Sequence, residues 1–195
     1  MQSVARLYRS PGRKSGRQGD EHVPLGDPSD ATKADDLQIV SNLNAATGAW
    51  TWVSSDNDTV VGLGVKDPLN NYVFEVHQYL DADGGGGTTS VVAGAGSTRL
   101  IAVTDWARAH GVQMFLAEFG FASDSASMAE GKALNDFTHA NSDVWLGQTF
   151  WAAGPGWGDY FFSVQPDGLG TSHVVDKPQI SILKTYLARD GPSRQ

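Results

Sequence analysis

The sequence predicts an α/β protein in which strand–helix units repeat around a parallel sheet. Three observations predict it. Apolar runs and helical patterns alternate from Leu37 onward, strand first and helix second. The runs recur every roughly 33 to 40 residues, the length of a strand, a crossover helix and their loops. Each run is almost continuously apolar, as in strands covered on both faces rather than one.

Leu37-Gln-Ile-Val40 is the first run and reads as a short buried strand. Gly48-Ala-Trp50-Thr-Trp52 follows. Tyr72 to Tyr79 is the second strand, and it opens into Asp81-Ala-Asp-Gly-Gly-Gly-Gly87. That glycine run has no Gly-Lys-Ser/Thr ending, so it is a flexible loop and not a phosphate loop. Ser97 to His110 is a helix with Leu100, Val103 and Ala107 on one face, and Gly111 stands where a left-handed C-terminal cap belongs. Val112 to Phe119 is the third strand. Ser127-Met-Ala-Glu130 has the spacing of a capping box for a helix ending near His139. Val144 to Trp151 is the fourth strand. Lys177 to Ala188 is the last helix, with Pro178 in its first turn and Ile180, Leu183 and Leu187 on one face.

Composition narrows the function. The chain has 195 residues and a formal net charge of −8. Such a chain repels phosphate backbones and anionic membrane surfaces, which argues against nucleic-acid and membrane partners. With no cysteine, it has neither a disulfide framework nor a thiolate metal site. Residues 1–36 differ from the rest. Basic Arg6, Arg9, Arg13, Lys14 and Arg17 come first, then Asp20, Glu21, Asp27, Asp30, Asp35 and Asp36, with Pro24 and Pro28 among them. They show no helical or strand period and read as a disordered or non-homologous tail, against the alternative of an RNA-binding basic arm, which lacks interleaved aromatics and is followed at once by acids. No apolar core follows the basic residues, so no signal peptide is expected. The domain is expected over 37–190, with a short tail at 191–195.

Ligands of parallel α/β folds meet the C-terminal ends of the strands. His77 and Tyr79, Glu118, and Trp151 stand at three such ends. By strand alternation His77 and Tyr79 share a side, and Glu118 falls in with Met114 and Leu116. A carboxylate, an imidazole, a phenol and an indole then converge on one rim. That set suits glycoside hydrolysis. A carboxylate stabilises the oxocarbenium-like transition state, and an indole stacks on the apolar face of a sugar ring. Taken singly, each residue has a plainer reading: a solvated Glu, a structural His, a core Trp.

Phe74-Glu-Val-His-Gln-Tyr-Leu-Asp81, Ala117-Glu-Phe-Gly120 and Phe150-Trp-Ala-Ala-Gly-Pro-Gly-Trp-Gly-Asp-Tyr160 resemble the last three strand motifs of family-five glycoside hydrolases, in the cellulase subfamily. Thr47-Gly-Ala-Trp50 resembles the segment after the strand before them. The resemblance runs over roughly residues 36 to 190. It implies a (β/α)8 barrel, of which about the last four units are present. It also implies retaining cleavage of β-1,4-glucan with no metal or cofactor, by a secreted enzyme. Position by position, Glu118 matches the nucleophile and Tyr79 the residue that orients it. His77 and Trp151 match substrate-binding positions.

Three departures accompany it. No Asn-Glu-Pro occurs in the chain, so no residue matches the family's acid/base. Gly156 stands where the subfamily often has Trp, and the subfamily's cysteines are missing. Glu75 lies two residues before His77 and is placed too deep for the acid, as a buried, paired structural charge. Asp81, Asp83 and Asp159 fall on loops as turn or surface groups. Two rivals stay open: a β-glucan-binding module without turnover, and an inert fragment. A partial barrel also exposes sheet edges through which copies of the chain can associate.

Overall fold

The computed structural model describes residues 38–40, 48–54 and 72–186. The segments 1–36 and 191–195, and the end of the last expected helix, lie outside the described residues. The sheet has four strands: β1 (Gln38–Val40), β2 (Tyr72–His77), β3 (Gln113–Phe119) and β4 (Trp145–Phe150). They lie side by side in chain order, and every pair is parallel. This is the topology that successive βα units of a barrel produce.

Four helices accompany the sheet: α1 (Ala95–Thr98), α2 (Ile101–His110), α3 (Ser125–Ala140) and α4 (Ile180–Leu183). One face of the sheet packs on this layer. Phe74 and Val76 of β2 and Met114 and Leu116 of β3 are at most 1% exposed. They join Leu100, Val103, Trp106, Ala107 and Leu134 in one core. Burying each large apolar side chain is worth about 1.5–3 kcal/mol, so this face holds the layers together. Trp52 belongs to the same core, with ring centroids 5.2 Å from Trp106 and 5.8 Å from Phe74. It anchors the segment 48–54 over β2.

The helix boundaries differ from expectation in three places. The helix expected over 97–110 is two helices, because the chain turns at Arg99 and Leu100 before α2 starts. Its end is as read: Gly111 has φ +65° and donates its N–H to the carbonyls of Ala107 and Arg108. Ser127 and Glu130 form no capping box. Asp124 caps α3 instead, accepting from Ala126 and Ser127 N–H at 3.1 and 3.0 Å. A carboxylate at the N-cap meets both the free N–H groups and the positive end of the helix dipole. Ser127 is thereby released to donate to the Thr89 carbonyl at 3.1 Å. Glu130 accepts from the N–H groups of Gly94 and Gly96 at 2.7 and 2.9 Å, which ties α3 to the start of α1. Among the described residues of the last expected helix, Ile180–Leu183 is α-helical, with turns on either side.

Candidate active site

The rim is built by a slip in register. Along β2 and β3 the pairs run Glu75 with Phe115 and Val76 with Leu116, then jump to His77 with Glu118. Ala117 is the extra residue. Simple alternation would put Glu118 beside Met114 and Leu116, inside the helix-side core. The bulge moves it across to pair with His77. Bulges re-aim side chains in this way beside functional sites. The expectation that Glu118 shares a side with Met114 and Leu116 is therefore corrected, whereas its convergence with His77 holds.

Glu118 is held from two sides. The Tyr79 hydroxyl donates to its Oε1 at 2.5 Å. His77 Nδ1 stands 3.5 Å from its Oε2. On the other side of the same imidazole, Nε2 lies 3.0 Å from Glu75 Oε1. The imidazole thus bridges two carboxylates, so Glu75 is a paired charge, as the sequence suggested. The hydrogen bond to Glu75 raises the His77 pKa above its ordinary value, and the Glu118 charge adds to the rise against partial burial. Protonated His77 is therefore favoured in the folded chain. Its contribution to stability is complete below the ordinary histidine value and fades as pH rises through the folded one. With the His77 side chain 47% exposed, solvent screens that contribution. Glu75→Gln is expected to bring the imidazole titration of His77 down, measured on its ring proton by NMR; an unchanged titration would contradict the pairing.

Tyr79 is 4% exposed, and burial first, then the bond to Glu118, raises its pKa. The phenol stays a neutral donor at any physiological pH. Its ring stacks on Phe162 with centroids 5.7 Å apart and planes 13° from parallel. Trp151 follows β4, its N–H bonded to the Phe119 carbonyl at 2.7 Å. Its ring meets Trp157 edge-on at 4.9 Å and packs against the small cluster of Tyr79, Ala122 and Phe162. Trp157 and Phe161 are exposed beside it. All four residues expected at the site, Glu118, Tyr79, His77 and Trp151, therefore meet at the C-terminal ends of β2, β3 and β4. Sequence reading missed Phe162 and the bulge at Ala117. It also placed Asp81 as a turn or surface group; Asp81 is a turn group, but it is 4% exposed. Among the described residues no group of three His, Asp or Glu is placed to hold a metal ion.

Comparison with known proteins bears on the family and the fold. The family model for cellulase (glycosyl hydrolase family 5) matches residues 21–155, a span that starts inside the segment 1–36. Endo-β-1,4-glucanase A of Emericella nidulans is 40% identical over 158 residues, 80% of this chain and 46% of that protein. Endoglucanase 3 of Humicola insolens is 36% identical over 159 residues, 80% of this chain and 39% of that protein. The chain thus spans less than half the length of these two relatives. A solved endo-β-1,4-glucanase from Xanthomonas axonopodis pv. citri superposes with a TM-score of 0.70 at 39% identity, covering 80% of this chain and 49% of the other. XacCel5A in complex with cellopentaose does so with a TM-score of 0.70 at 38% identity, covering 77% and 48%. The four parallel strands are thus part of a (β/α)8 barrel, and the chain belongs to the cellulase family, glycosyl hydrolase family 5.

Proposed function

We propose that the rim is the nucleophile side of a retaining β-1,4-glucanase site. The observation that carries this is the Glu118 carboxylate, re-aimed by the bulge and held at 2.5 Å by a buried phenol. Retaining glycosidases need one carboxylate to attack the anomeric carbon and a second carboxyl group to protonate the leaving oxygen. Glu118 does the first. Tyr79 holds one carboxylate oxygen as a hydrogen-bond donor, its own proton staying on the phenol. Trp151 offers an apolar face to a glucose ring, and half-exposed His77, its two ring nitrogens facing Glu75 and Glu118, lines the same rim. The relatives' names, and the cellopentaose held by XacCel5A, support a β-1,4-linked glucan as substrate. An enzyme for an insoluble wall polymer works outside the cell, so secretion goes with this reading.

The second carboxyl group has no matching residue, because the chain contains no Asn-Glu-Pro segment. The test must therefore not need it. A 2,4-dinitrophenyl 2-deoxy-2-fluoro-β-cellobioside has a leaving group that departs without protonation. Glu118 forms an ester bond to C1 while the C1–O bond breaks, and dinitrophenolate takes the electron pair. Mass spectrometry should find one fluorocellobiosyl group per chain, mapped to Glu118. Cellopentaose binding without labelling would support the rival reading of a glucan-binding module. Neither binding nor labelling would support an inert fragment.

Trp151→Ala should weaken cellopentaose binding by about 1 kcal/mol or more, from the apolar area that the indole would cover on a glucose ring. Titration calorimetry measures it. Unchanged affinity would remove Trp151 from the site.

A further inference from the structure

We propose that Asp81 is a positioning residue: it folds the glycine loop into a clamp that sets Tyr79 against Glu118. The inference rests on the reading of Glu118 as nucleophile. The sequence marks 81–87 as flexible, but the structure shows a closed turn. The buried Asp81 carboxylate accepts from Gly86 N–H at 3.1 Å through one oxygen and from Gly87 N–H at 2.9 Å through the other. Its carbonyl accepts from Gly84 N–H at 3.1 Å.

The turn is closed onto the Tyr79 ring. A Cβ at Gly86 would stand 2.7–2.8 Å from three atoms of that ring, and φ there is +75°. Only glycine fits both the contact and the backbone angle. The main chain of Tyr79 is fixed separately. Its carbonyl accepts from Arg99 Nη1 at 2.7 Å and from Gln78 Nε2 at 2.6 Å. Both of those side chains are buried. Arg99 lies beneath the Trp50 ring, 4.4 Å from its centroid, and Gln78 Oε1 accepts from Trp50 N–H at 2.8 Å. Phe162 stacks on the ring of Tyr79 as well. The phenol is thus the tip of a side chain held at backbone and ring, and together with His77 it sets where the carboxylate of Glu118 points. The Asp81 carboxylate bonds to the Gly86 and Gly87 N–H groups and not to Glu118; it acts through Gly86 on Tyr79.

The test is a double-mutant cycle on the full chain, read as the rate of fluorocellobiosyl labelling of Glu118. Asp81→Ala should slow labelling on the order of tenfold, below the roughly 10²-fold that a 1 Å misplacement can cost. In a Tyr79→Phe background the same change should alter the rate less than about twofold, because the phenol it positions is gone. An equal loss in both backgrounds would overturn the proposal and leave Asp81 a general structural residue. Gly86→Ala provides a second route to the same ring: it should reproduce the Asp81→Ala loss and its dependence on Tyr79. A readout without labelling runs alongside. Tyr79, shielded in the native chain, should become open to nitration by tetranitromethane in Asp81→Ala, with the thermal midpoint recorded to confirm a folded chain. Continued protection in a folded Asp81→Ala chain would also overturn the clamp. If the unsubstituted chain takes no label while Tyr79 is exposed by Asp81→Ala, the clamp stands and the nucleophile reading fails.

Discussion

Glu118→Gln is expected to abolish both the burst and the slow turnover expected of the unsubstituted chain with an activated cellobioside. On 2,4-dinitrophenyl β-cellobioside the unsubstituted chain should release about one equivalent of dinitrophenolate quickly and then slow sharply. The first step needs a carboxylate and a good leaving group, and Glu118, held by Tyr79 at 2.5 Å, supplies the carboxylate. The second step needs a base to activate water. General acid–base help is commonly worth about 10²- to 10⁴-fold, and no residue matches that role in the chain. Hydrolysis of unactivated glucan should fall below that of a full-length relative by at least this factor, with further loss from subsites the described residues do not supply. Azide, a nucleophile that needs no base, should speed the slow phase and yield β-cellobiosyl azide. Glutamine at 118 cannot form the ester, so burst, turnover and azide effect should vanish together. Steady hydrolysis of soluble cellulose derivatives by the chain, abolished by Glu118→Gln, would show that another carboxyl group serves as the acid. Glu75, bonded to His77 at 3.0 Å, would be the first to substitute.

The second large effect concerns stability. Gly96→Ala is expected to destabilise the chain by about 3 kcal/mol or more, combining overpacking with the loss of charge-assisted hydrogen bonds. A Cβ at this position would lie 2.0 Å from the Glu130 carbonyl oxygen and 3.0 Å from the Leu134 nitrogen. Both are backbone atoms of α3, so no side-chain rotation relieves the clash. Helices α1 and α3 must separate, and separation breaks the bonds from Gly94 and Gly96 N–H to the Glu130 carboxylate. For a chain of this size the midpoint should drop by roughly 6–12 °C, at about 2–4 °C for each kcal/mol. Gly156→Ala is the control. It has open space around its Cβ and should stay within about 0.5 kcal/mol. Equal midpoints for the two variants, by calorimetry, would contradict the close approach of α1 to α3.

Much of the fold was legible because the strands are nearly continuous apolar runs. The structure buries mainly their helix-side face and leaves the other half-exposed, most of all along β4, so the expected cover on both faces is corrected. The three longer strands could be read within a residue or two, as could the αL cap at Gly111. The family motifs then named Glu118, Tyr79, His77 and Trp151 without any geometry, since such motifs record residue types at chain positions. Local pattern failed where two residues could serve one purpose. Ser127 and Glu130 have capping-box spacing, yet Asp124 is the cap, because only the tertiary structure shows Ser127 engaged by the Thr89 carbonyl and Glu130 by the start of α1. Alternation failed at Glu118 for a related reason. A bulge is a property of two strands and has no signature in one, so parity counted along β3 alone sends Glu118 to the wrong face. The glycine loop is the third case. Composition reads consecutive glycines as freedom, whereas the loop is closed by the distant match between one carboxylate and two N–H groups, and by a ring that leaves no room for a Cβ. By itself the sequence determined the α/β class, the parallel strands and the chemical kinds present at the rim, because those depend on burial and on order along the chain. The tertiary structure alone decided which way Glu118 faces, what holds Tyr79 and where Asp81 acts, because each depends on contacts between residues that different elements bring together.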